Sequence, residues 1–128
     1  MVSVSSPFEY QSLLEMGNLV IADFFVPWCQ ACRALHPKLK QIAQQNPDVL
    51  FLTVNGGDDS ELRELCVGLG VTKLPYFHLY RGGELIEQFA ANLTKVDKIR
   101  AEIAALKQDP FEEMGFTSFG RLDSLPPI

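Results

Sequence analysis

Leu19-Val20-Ile21-Ala22-Asp23-Phe24-Phe25-Val26-Pro27-Trp28-Cys29-Gln30-Ala31-Cys32-Arg33-Ala34-Leu35-His36-Pro37 decides the architecture of this 128-residue chain. Residues 19–26 are almost continuously apolar between Gly17-Asn18 and Pro27, as in a strand covered on both faces. Past Trp28 the period changes, and Leu35, Leu39, Ile42 and Ala43 fall on one side of a helix. Cys29 therefore stands at or just before a helix N-terminus, where unpaired N–H groups and the helix dipole favour an anion. That environment lowers a thiol pKa and raises its thiolate fraction. Cys32 lies one turn further on and can reach the same sulfur, so the pattern is that of a dithiol site.

On the N-terminal side, Ser6-Pro7-Phe8-Glu9 has the form of a capping box opening a short helix with Tyr10, Leu13 and Leu14 on one stripe. Pro37 should kink the helix that follows the cysteines rather than end it. Val49 to Val54 reads as a second buried strand, and residues 60–69 as a helix with Leu62, Leu65, Cys66 and Leu69 inward. Residues 76–80 and 84–90 flank Arg81-Gly82-Gly83 as a hairpin. Thr94, with Asp97 three residues on, is the expected cap of a last helix carrying Val96, Ile99 and Ile103. The order α β α β α β β α implies an α/β fold whose central mixed sheet is flanked by helices on both faces. Residues 1–106 form the expected domain. Residues 107–128 form an aromatic, acidic extension in which Phe111, Phe116 or Phe119 is expected to pack on the domain or on a partner.

Three further residues bear on chemistry. Asp23 places a carboxylate inside an apolar strand, which is costly unless it has a function. One reading leaves it wet at a strand edge. The other makes it a buried acid behind the cysteines, with a raised pKa, taking the Cys32 proton. Pro75 opens an apolar strand, either as an ordinary strand-start proline or with a cis Leu74–Pro75 bond that leaves the backbone of Leu74 free to pair with a substrate strand. Trp28 is either core or a flat, partly exposed contact surface. A zinc site would have to draft Cys66, His36 or His78, and no second C-x-x-C or C-x-x-H pair accompanies the first. His36 and His78 read as structural, and the site calls for no metal and no cofactor.

Composition narrows the partners. A net charge of −5 without a basic cluster argues against nucleic acid and anionic membrane. No apolar run approaches the ~20 residues that span a bilayer, and residues 1–7 lack the regions of a secretory signal. Three cysteines, two of them in one C-x-x-C, do not make a secreted disulfide framework and fit a reducing compartment.

Asp23, Trp28-Cys29-x-x-Cys32, Pro37 and Pro75, in this order and spacing, resemble the thioredoxin family over about residues 7–106. Within it, residues 33–39, 50–55 and 74–82 are similar to the atypical Cys/His-rich thioredoxins of plant and algal plastids, which also carry a C-terminal extension. The resemblance implies a thioredoxin fold, a setting in the chloroplast stroma, and thiol–disulfide exchange with protein partners. A two-cysteine peroxiredoxin is one such partner, with an unidentified dithiol as electron donor. It implies Cys29 as nucleophile, Cys32 as resolving thiol, Asp23 as proton acceptor, and Trp28, Leu74, Pro75 and Ala91 at the substrate groove. Three positions depart from the family pattern. Gln30-Ala31 replaces Gly-Pro, so Ala31 brings a backbone N–H near Cys29. Thr53 stands where a lysine is common, and Ala91 where a glycine is. Two rival functions remain: an interaction module with an idle dithiol, and a disulfide isomerase.

Overall fold

The computed structural model describes residues 1–108. Its elements run β1 (Val2–Ser3), α1 (Pro7–Met16), β2 (Leu19–Phe25), α2 (Gln30–Gln45), β3 (Leu50–Asn55), α3 (Ser60–Gly68), β4 (Tyr76–Arg81) and β5 (Glu84–Ala90). A 3₁₀ turn at Leu93–Lys95 then leads into α4 (Val96–Lys107). The sheet has the order β1-β3-β2-β4-β5. β1 and β2 run parallel to β3, while β4 runs antiparallel to β2 and β5. β2 is therefore paired on both edges at the centre of the sheet, and helices packed on both sides make its sequence apolar on both faces.

Alternation along β2 divides the core. Val20, Ala22 and Phe24 join Tyr10 and Leu14 of α1 and Leu62 of α3 on one side of the sheet. Ile21 joins Leu35, Leu39 and Ile42 of α2 and Ile99, Ile103 and Leu106 of α4 on the other. The expected mixed sheet with helices on both faces is the one observed.

Several boundaries differ for local reasons. The two residues of β1 are too short a run to show a period, and they are held by pairing Val2 with Leu52 and Ser3 with Thr53. The second long strand runs Leu50–Asn55 instead of residues 49–54, and β4 starts at Tyr76 as expected but runs one residue further, to Arg81. The last helix is not capped by Thr94. Asn92 accepts from Thr94 N at 3.1 Å and from Thr94 Oγ1 at 2.6 Å, which tightens residues 93–95 into the 3₁₀ turn before α4. Ser6 caps α1 as expected, accepting from Glu9 N at 3.0 Å. Gly82 and Gly83, with φ of 59° and 84°, supply the left-handed pair that a two-residue hairpin turn requires. Arg81 Nη2 donates to Leu106 O and Gln108 O, at 2.6 and 3.0 Å, and so satisfies the C-terminal carbonyls of α4. Phe111, Phe116 and Phe119 lie outside the described residues.

The α1/α3 side of the sheet carries one buried polar chain. Tyr10 Oη and Tyr80 Oη lie 2.6 Å apart, and His78 Nδ1 lies 3.1 Å from Tyr80 Oη. Burial holds the His78 pKa below its ordinary value and pushes both tyrosines up, so all three groups are neutral at pH 7. Tyr80 is the shared member. Tyr80→Phe strands both the Tyr10 hydroxyl and the His78 nitrogen and should cost roughly 1–3 kcal/mol in urea unfolding. Tyr10→Phe leaves the Tyr80–His78 contact in place and should cost clearly less. Equal losses would mean that the chain does not act as drawn.

Candidate active site

The end of β2 and the start of α2 bring the sulfurs together. β2 ends at Phe25, and Gly56 N donates to Phe25 O at 2.9 Å, tying this end to the loop after β3. The chain then turns through Pro27 and Trp28, and Cys29 becomes the N-cap of α2. Cys29 and Cys32 are joined as a disulfide, with their Cα atoms 5.3 Å apart. Cys32 N donates to Cys29 Sγ at 3.2 Å. This is the bond an N-cap side chain forms with the third residue of its helix. In this disulfide form the donor to the Cys29 sulfur is thus Cys32 N–H. Arg33 Nη1 donates to Pro27 O at 2.6 Å and fastens the turn to the helix. The helix continues through Pro37 to Gln45.

The two sulfurs are not equivalent. Cys32 is buried, 7% exposed, on the inner side of α2, whereas Cys29 is half-buried at its tip. Trp28 beside it is 67% exposed, so it is not a core residue. Its ring lies against the backbone of Gly57, where an added Cβ would come within 2.7 Å of Trp28 Cη2. Glycine at 57 is what lets the indole lie down there.

Asp23 is not at a wet edge. It is 7% exposed, and its Oδ1 has no hydrogen-bond partner. Burial raises its pKa to about 7. It lines an open pocket of about 490 Å³ together with Phe25, Pro27, Cys32, Arg33, His36 and Pro37. Asp23 and Cys32 thus share one cavity, on the α2 side of the sheet.

The other sequence-selected residues gather nearby or fall away. The Leu74–Pro75 bond is cis. Phe24 pairs with Tyr76, so Pro75 lies at the end of the sheet where β2 turns toward the cysteines. Pro75 O accepts from Ala91 N at 3.2 Å, so Ala91 lies at that end too, with its side chain buried among the apolar residues. Leu74 is 37% exposed. His78 is on the opposite face of the sheet, in the tyrosine chain. His36 is exposed but lines the Asp23 pocket, a placement its reading as structural did not foresee; the spacing of four from Cys32 on one helix was the available signal. Cys66 is half-buried rather than fully inward, with its sulfur against the backbone of Gly56, and burial pushes its thiol pKa up. Among the described residues no three His, Cys, Asp or Glu side chains are placed to hold a metal ion.

Burial of Asp23 has a measurable signature. Its folded pKa lies above that of the unfolded chain, so the folded state holds the extra proton between its ordinary value and about 7. Stability should therefore fall as pH rises through that window, by roughly 1.4 kcal/mol per pH unit and on the order of 4 kcal/mol in all. Asp23→Asn should remove this slope, making the variant the more stable protein at pH 8 in the disulfide form. Parallel denaturation curves for the two proteins from pH 4 to 8 would contradict it.

Comparison with known proteins agrees with this geometry. The Thioredoxin family model matches residues 1–105. The chain is 51% identical over 101 residues, 77% of its length and 35% of the relative's, to "Thioredoxin-like 1-2, chloroplastic" of Oryza sativa. It spans a third to a half of the length of the first curated relatives it matches. Chlamydomonas reinhardtii thioredoxin f2 superposes with a TM-score of 0.75 at 28% identity, over 84% of this chain and 96% of that one. A second solved structure gives a TM-score of 0.69 at 25% identity, over 80% and 94%. It is described as the structural basis of the thiol-resolving mechanism in yeast mitochondrial 1-Cys peroxiredoxin via glutathione/thioredoxin systems. A model match over most of the chain, joined to a dithiol at a helix N-terminus beside a buried acid, places the chain in the thioredoxin family.

Proposed function

We propose that this chain is a protein thiol–disulfide oxidoreductase. The observation that carries the reading is the unequal exposure of a dithiol at one helix N-terminus, with the buried sulfur sharing a pocket with a buried acid. Cys29 thiolate, favoured by the N–H groups of α2, attacks one sulfur of a substrate disulfide. A Cys29–substrate bond forms, the substrate S–S bond breaks, and the first substrate thiolate leaves and takes a proton from solvent. Cys32 then gives its thiol proton to the Asp23 carboxylate and attacks Cys29 Sγ. The Cys29–Cys32 bond forms as the second substrate thiolate departs, and two electrons have passed to the substrate. A second dithiol, acting as donor, returns the pair to its reduced form.

Trp28, Leu74, Pro75 and Ala91 are the proposed substrate contacts. Trp28 and Leu74 offer exposed apolar surface, and the register between β2 and β4 brings Pro75 to the same end of the sheet. A two-cysteine peroxiredoxin in the chloroplast stroma is the proposed setting. The chloroplastic relatives support the compartment, and the peroxiredoxin-related structure supports the partner class. Residues 1–106 are proposed as the reacting domain and residues 107–128 as an extension that tunes partner choice. Because Arg81 reaches Gln108 O, a truncation that tests this division should end after Gln108.

Insulin disulfide reduction, driven by dithiothreitol, tests the activity: turnover by the wild type and at least a hundredfold loss in Cys29→Ser are expected. Cys32→Ser should accumulate a mixed disulfide with a protein substrate, detectable on a non-reducing gel, and Cys29→Ser should not. Adducts held through Cys32 in the Cys29→Ser protein would reverse the assignment. Absence of turnover with both thiols intact would support a docking module instead.

A further inference from the structure

Among the described residues, the α2 face of the sheet holds two buried polar side chains, and they are neighbours. Thr53 and Asp23 are register partners on β3 and β2, and each is 7% exposed. Ser3 is the register partner of Thr53 on β1. Register partners project to the same side of a sheet, so Ser3, Thr53, Asp23 and Phe77 form one cross-strand row. Thr53 Oγ1 donates to the exposed Ser3 Oγ at 3.4 Å, a long bond that the hydroxyl can leave by rotating. On its other side, Asp23 Oδ1 has no partner. The row thus runs from solvent at the sheet edge, through two hydroxyls, to the buried acid.

We propose that Thr53 is a positioning residue for Asp23, its hydroxyl supplying the hydrogen bond that the ionised carboxylate lacks. This rests on the reductase reading above and deepens it, since Asp23 must be ionised to receive the Cys32 proton. The surroundings leave few alternatives among the described residues. β2 offers only Ile21 and Phe25 to that face, β4 offers Phe77, and α4 packs apolar Ile99 and Ile103. α2 contributes Cys32 together with Arg33 and His36 at the pocket. Arg33 is engaged with Pro27 O, and His36 is exposed. Burial alone drives the Asp23 pKa up, with no charged group opposing it. A hydroxyl on the adjacent strand is the donor best placed to keep ionisation within reach of neutral pH.

The test is the titration of the Asp23 carboxyl, followed by isotope-edited infrared or NMR on the full chain, in parallel with the pH profile of insulin reduction. Thr53→Val, close in volume but without the hydroxyl, should raise the midpoint by about one pH unit and move the rate profile by the same amount. Thr53→Ser should restore the wild-type midpoint. In an Asp23→Asn background, Thr53→Val should cause no further change in the profile. Thr53→Ala serves as the second hydroxyl deletion where the valine variant folds poorly. An unmoved carboxyl midpoint in the hydroxyl deletions, or an equal shift in Thr53→Ser, would overturn the proposal. The spectroscopic arm needs no turnover, so a protein without reductase activity would defeat the functional reading and still leave the Thr53–Asp23 coupling decided.

Discussion

A carboxyl group is held inside a strand that is hydrogen-bonded on both edges and covered on both faces, and the site is built around that placement. Desolvation of Asp23 raises its pKa to about 7, which converts an ordinary acid into a group that can hold or release a proton near neutrality. The double pairing of β2 with β3 and β4 fixes its register. A slip of one residue would carry Asp23 to the opposite face and replace it with Ala22 or Phe24. The same strand delivers the chain directly into Cys29, so acid and sulfur are positioned by one element.

The dithiol depends on a different force. At the start of α2, backbone N–H groups have no partners within the helix, and the Cys29 sulfur occupies the N-cap place that a serine or aspartate side chain would otherwise take. The cap is thus also the proposed nucleophile. Burial of Cys32 one turn later follows from the amphipathic period that buries Leu35 and Leu39. The difference in exposure between the two sulfurs is therefore a consequence of helix geometry, and it orders the proposed reaction into attack and resolution.

Around this centre, small residues set how closely chain segments approach. Gly56 admits the Cys66 sulfur, and Gly57 admits the Trp28 ring. Both belong to the loop after β3, on the far side of β2 from Pro75. The proposed substrate contacts come from three other loops, before α2 (Trp28), before β4 (Leu74, Pro75) and after β5 (Ala91), none of which is contiguous with another in sequence. This is the usual arrangement in open α/β sheets, where loops at strand ends carry the function and the sheet supplies rigidity.

Much of this was legible in the residues themselves. Apolar runs marked the buried strands, a change of period marked the start of α2, the Gly82-Gly83 pair marked the hairpin, and the C-x-x-C at a strand-to-helix turn marked the dithiol. Those features are local, and local sterics and hydrophobic periodicity are enough to read them. The resemblance carried by Asp23, Trp28, the cysteines, Pro37 and Pro75 added the proposed roles. Tertiary structure decided what depends on partners distant in sequence. Two residues became β1 because Leu52 and Thr53 were there to pair with them. His36 came to line the Asp23 pocket, and His78 was linked to Tyr10 through Tyr80 on the opposite face. Thr53 came to lie beside Asp23, thirty positions away, because parallel strands align residues that no local period relates.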